Sequence, residues 1–157
     1  MQFRFQLFKN RAGYISLCRA FPEFTASAAD EKAVLRLSVK NLSSLIASRL
    51  SNGIYIDDSI GTDNGGAFVR YPTYIWKPPL GIRLKIALSN GIIDKGWTRR
   101  RFAETMDITW PSLNNLFDIH ISTRIATYDR AFDLLGLHPH LEIRTVASDD
   151  PFRNSRL

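Results

Sequence analysis

The chain has little of several things, and each shortage excludes a class of protein. Among 157 residues there is one cysteine, Cys18, so no disulfide can form within the chain, which fits a reducing compartment. No uninterrupted apolar run approaches the roughly 20 residues needed to cross a bilayer. The start, Met1–Phe8, alternates polar and apolar residues, unlike a signal-peptide core. A cytoplasmic protein without a membrane partner is expected. Histidine is absent before His120, so nucleophilic catalysis in the first half would lack its usual base. Carboxylates are sparse there too: the first strand has none, and Asp57, Asp58 and Asp63 fall in a Gly- and Asp-rich stretch. A two-cation nuclease needs several acids converging on one point. No catalytic residue, metal site or cofactor is therefore expected, and the chain reads as no enzyme.

What is present is apolar content of 45% and a basic surplus, 21 Lys and Arg against 15 Asp and Glu. The first is enough for real cores, and the second favours a polyanionic partner. Phe3, Phe5 and Leu7 alternate with Gln2, Arg4 and Gln6, which predicts a strand. A turn at Asn10–Gly13 leads to a return strand, Tyr14–Cys18, and Phe21–Thr25 is a short extended piece. From about Asp30 the period becomes helical, with Leu35, Val39, Leu42, Ile46 and Leu50 on one stripe. Ser27 and Asp30 are candidates for its capping box, and Asn52-Gly53 ends it. Residues 57–66 read as a flexible loop and Ala67–Tyr71 as a last strand. The prolines of residues 72–79 predict a stiff linker. Expected boundaries are thus 1–71 for an α+β domain (β-β-β-α-β), 72–79 for the linker, 80–146 for a helical domain and 147–157 for a disordered tail.

The helical domain contains the most informative stretch, Trp97–Phe117. Thr98 can cap a helix whose Phe102, Ala103 and Met106 share one face. Asp107 suits the left-handed turn, though less well than glycine. Thr109 caps a second helix with Pro111 in its first turn, and Leu113, Leu116 and Phe117 point inward. This is a helix-turn-helix, whose second helix is shaped for a DNA major groove. Thr98, Arg99 and Arg100 are candidates for phosphates; Thr109, Trp110, Ser112, Asn114 and Asn115 are candidates for the reading surface. A helix at Leu80–Ile93 precedes the motif, with Leu80, Leu84, Ala87, Leu88 and Ile92 on one face. Another, carrying Ile125, Tyr128, Phe132 and Leu135 and ended by Gly136, follows it. Leu141–Val146 alternates as a strand, whose open edge must pair within the chain or with a second copy. Operator DNA has two-fold sites, so a homo-oligomer, at least a dimer, is expected.

Several stretches together resemble a known family. Leu116–Ile125, followed by Ala131 and Leu134–Gly136, is similar to the segment after the recognition helix in HicB antitoxins with a C-terminal helix-turn-helix. Arg83–Leu88 resembles that domain's first helix, and Ala12–Leu17, Phe21–Thr25 and Glu31–Ala33 resemble the family's hairpin and helix start. Where the family has a turn glycine, this chain has Asp107. The resemblance implies a truncated RNase H-like domain without nuclease activity that binds and neutralises a HicA-like, mRNA-cleaving toxin. It also implies a DNA-binding domain repressing the toxin–antitoxin operon. Toxin contacts would fall at Tyr14, Phe21, Glu23 and Phe24. The alternative is a stand-alone transcriptional regulator without a toxin partner. Up to Lys77 six acids face ten basic residues, so a basic toxin would have to be held by shape and apolar contact.

Overall fold

A computed structural model describes residues 1–57 and 71–140. In those residues the protein is mixed α/β, a four-stranded antiparallel sheet and five helices. Strand β1 (Phe3–Asn10) buries Phe3, Phe5 and Leu7, as its alternation requires. It turns into β2 (Gly13–Cys18), and Asn10 Oδ1 accepts the Ala12 N–H at 2.9 Å in the turn. Gly13 has φ 138°, and a Cβ there would stand 2.4 Å from the Ala28 carbonyl oxygen, so only glycine fits. Strand β3 (Phe21–Ala28) is longer than the short piece expected, and it pairs with β2 from Tyr14 onward through an irregularity at Leu17/Cys18.

The fourth strand corrects the expected linker. Within residues 72–79 the prolines sit at 72, 78 and 79, leaving Thr73–Trp76 free to donate, and these residues form β4. It lies at the sheet edge in the order β3-β2-β1-β4, with Phe3 opposite Trp76 and Phe5 opposite Tyr74. Tyr74 and Trp76 are buried, and Phe3 packs against both Trp76 and Phe21 at ring separations of 6.1 and 5.5 Å. The strand expected at 67–71 lies outside the described residues except for Tyr71, which is an exposed bend over Phe8. The expected loop 57–66 lies outside them beyond Asp57. So do the expected C-terminal strand and tail.

Helix α1 (Glu31–Asn52) starts with Asp30, whose Oδ1 accepts the Ala33 N–H at 2.8 Å. Ser27 remains in β3 rather than in a capping box. The buried stripe passes through Ser38 where Val39 was expected. The Ser38 hydroxyl donates to the Val34 carbonyl at 2.7 Å, which lets a polar side chain occupy a core position.

The chain divides into two compact units, one of Met1–Leu45 and Asp57–Pro78, the other of Ile46–Ile56 and Pro79–Ala147. The second therefore includes the last turns of α1, α2 (Leu80–Asp94), α3 (Arg99–Met106), α4 (Trp110–Phe117) and α5 (Ile125–Leu135). Asn90 explains why Ile56 belongs there. Its Nδ2 donates to the Ile56 carbonyl at 2.7 Å, and its Oδ1 accepts the Ile56 N–H at 3.0 Å, so one amide serves both backbone groups. Ile86, Leu88, Phe102, Leu113, Phe117, Ala131 and Phe132 form this unit's core. Leu80, expected on the inward face of α2, is exposed, while Lys85, Ser89 and Asn90 are buried.

Candidate nucleic-acid interface

The helix-turn-helix geometry follows from local chemistry. Thr98 adopts an extended conformation and its hydroxyl accepts the Arg101 N–H at 3.1 Å, satisfying one free donor at the start of α3. Asp107 takes the left-handed conformation, φ 51° and ψ 53°, while the Ile108 N–H reaches back to the Ala103 carbonyl. Thr109 caps α4, accepting the Ser112 N–H at 3.4 Å. Phe102, Ala103 and Met106 of α3 and Leu113, Leu116 and Phe117 of α4 are buried. Trp110, Ser112, Asn114 and Asn115 are exposed along one side of α4, and 54% of Trp110 meets solvent.

The far end of α4 is held by a residue that the periodicity does not single out. Lys85 of α2 is buried, and its Nζ donates to the Leu116 carbonyl at 2.8 Å, to Thr123 Oγ1 at 3.1 Å and to the Asn115 carbonyl at 3.5 Å. A cation among the last carbonyls of a helix also opposes the negative end of its dipole. Burial lowers the Lys85 ammonium below the ordinary lysine range, and Asp118 draws it partly back. Tyr128 lies beside it, its ring 6.0 Å from Nζ and its hydroxyl donating to the Gly81 carbonyl at 3.4 Å. The sequence signal was a lysine three residues before Leu88 and seven before Ile92, on the buried stripe of α2.

The candidate residues divide into presented and engaged. Trp110, Asn114 and Asn115 are presented. Arg100 is exposed and pairs with Glu104 one turn on at 2.9 Å, which raises its guanidinium. The hydroxyls of Thr98 and Thr109 act as caps, and Ser112 Oγ lies 2.9 Å from Thr109 Oγ1. Arg99, a phosphate candidate, is partly engaged within the helical unit. Its Nη1 donates to the Ser51 carbonyl at 3.0 Å, and its guanidinium lies 4.6 Å from the Phe117 ring centre. It joins the end of α1 to α3 and α4. Arg101, outside the candidate set, is exposed and stands over the Trp97 ring at 4.8 Å.

In the sheet unit, Phe21 and Phe24 are core residues, 0% and 2% exposed, and offer no surface to a partner. Phe24 packs on Phe5 at 5.6 Å. The resemblance names them as toxin contacts for their apolar side chains, which in β3 are buried in the core. Glu23 is exposed, and Tyr14 is half-buried with Lys9 Nζ 5.7 Å from its ring centre. Among the described residues no helix is long and apolar enough to cross a membrane. Neither a protein-family model nor a curated protein sequence matches the chain.

Proposed function

We propose that the protein is a sequence-specific DNA-binding repressor that reads its operator with α4 as a homodimer. One observation carries this reading: a capped, turn-linked helix pair whose second helix is anchored at both ends and presents Trp110, Asn114 and Asn115 outward. Asparagine is suited to adenine edges, and the exposed Arg100 and Arg101 to phosphates. The basic surplus of the chain favours the same partner.

Within this reading, the likeness to HicB antitoxins assigns a second task to the sheet unit, neutralising a HicA-like toxin encoded beside it. Its support is the strand and helix order β-β-β-α-β, which the RNase H-like assignment expects. The strand that completes this order lies at Thr73–Trp76 rather than at the expected 67–71, and it runs antiparallel to β1. The burial of Phe21 and Phe24 favours the alternative, a stand-alone regulator, since it removes half of the toxin contacts.

The test is a titration of the full chain against duplexes from its own promoter. Asn115→Ala should relax preference at one base position, at a cost of about 1–3 kcal/mol there. Arg100→Ala should weaken all duplexes alike and reduce the salt slope by about one. Parent-like binding by both variants would remove α4 as the reader. Co-purification with the product of an adjacent small gene separates antitoxin from stand-alone repressor.

A further inference from the structure

The outward side of α1 carries charge of one sign. Its 22 residues hold Lys32, Arg36, Lys40 and Arg49 against a single acid, Glu31, which accepts the Tyr74 hydroxyl. Lys32, Arg36 and Lys40 are exposed and four residues apart, so they stand in one row along the helix. Among the described residues none of their side chains has an ion pair or a hydrogen bond. Solvated helix faces commonly mix the two signs, so that pairs form between neighbouring turns. No acid stands three or four residues from any member of this row. Ser44 and Ser48 continue it, exposed and short, and the Ser44 hydroxyl turns back to the Lys40 carbonyl at 3.2 Å. Nothing bulky or acidic therefore blocks approach from this side.

From this row we infer that α1 is a docking surface for the phosphate backbone of duplex DNA, separate from the reading helix α4. The spacing suits that partner. Successive cations are about 6 Å apart along the helix axis, and the row spans about 12 Å. One strand of B-DNA carries a phosphate every ~3.4 Å of its axis, so the row matches roughly three to four of them. Other polyanions fit less well. Single strands are held by aromatic stacking beside the basic groups, and α1 has no aromatic residue. An anionic membrane takes helices whose apolar side is free to insert, whereas Val34, Leu35, Leu42 and Ile46 of α1 are buried. Contacts to phosphate carry no base preference, so this surface adds affinity to any duplex whether or not α4 reads its sequence.

The experiment is fluorescence anisotropy of the full chain with a labelled DNA duplex of arbitrary sequence, repeated over a range of salt concentrations. Lys32→Gln/Arg36→Gln/Lys40→Gln should lower the slope of log affinity against log salt by about 2–3, near 0.9 for each phosphate released, and weaken binding at least about tenfold at ~0.1 M salt. Lys9→Gln/Arg11→Gln/Lys77→Gln removes the same charge from exposed positions outside α1, and should change the slope by less than about one. Glutamine keeps the helix propensity of the residues it replaces, and circular dichroism checks the fold. If the α1 variant loses helix, Arg36→Gln alone decides, with a slope change of about one. Equal losses from the two triple variants would assign the effect to net charge and overturn the inference. So would an unchanged slope in the α1 variant, no duplex binding by the parent, or tighter binding of a single strand or an RNA duplex than of the DNA duplex.

Discussion

The sheet unit and the helical unit meet the same requirement by different means. In the sheet, backbone donors and acceptors are satisfied by neighbouring strands, so side chains are free to pack: Phe3 against Phe21 and Trp76, Phe5 against Phe24. Short helices cannot do this, because each end leaves several backbone groups without partners. The helical unit therefore spends polar side chains on its ends. Thr98 and Thr109 cap two starts, Lys85 holds the end of α4, Arg99 bonds the Ser51 carbonyl near the end of α1, and Asn90 bonds Ile56 just beyond it. Polar residues buried in a helical domain are thus as structural as the aromatics of the sheet.

The largest expected effect tests that claim directly. Lys85→Met keeps the length and apolar stem of the side chain but removes its donors, leaving the Leu116 carbonyl unsatisfied. Urea denaturation should show a loss of about 3 kcal/mol. Lys85 is lowered in the folded state, so below the unfolded value of about 10.4 the unfolded chain binds more protons. The advantage of the parent over the variant should therefore grow as pH rises towards about 10.4. An equal stability of the two proteins at every pH would show that polar anchoring at this end is dispensable.

For the sheet, the corresponding lesion is steric. Gly13→Ala places a Cβ against the Ala28 carbonyl at a φ that alanine resists, and should cost about 2 kcal/mol. A melt of the full chain, followed by near-ultraviolet signals of Trp76 and of Trp97, reports whether the loss is confined to the sheet. A smaller effect, about 1 kcal/mol each, is expected from Thr98→Ala and Thr109→Ala, which remove single caps. Serine at either position should restore most of it, and failure of serine to do so would mean that the threonine methyl, not the cap, is what matters.

Much of the architecture was legible because its causes are local. The alternation of Phe3, Phe5 and Leu7 reports a buried strand face, and the Thr98, Asp107 and Thr109 positions satisfy rules that operate within a turn. The failures share a cause. Thr73–Trp76 is a four-residue strand between prolines, too short for its alternation to outweigh the breakers around it. Phe21 and Phe24 enter as apolar toxin contacts, and an extended piece of five residues does not by itself tell a core-facing aromatic from a partner-facing one. Val39 was preferred over Ser38 on hydrophobicity, although a serine that bonds its own helix is acceptable inside.

The sequence by itself determined the two kinds of layer, the ends of most elements and the side of α4 that faces outward, since each depends on residues within a few positions. Tertiary structure alone decided who meets whom. Lys85 finds the Leu116 carbonyl 31 residues away, Asn90 finds Ile56 at 34, and Arg99 finds Ser51 at 48. No periodicity encodes such pairs, because a buried polar group is stable only opposite its partner, and that partner is brought near by the packing of the apolar faces around both.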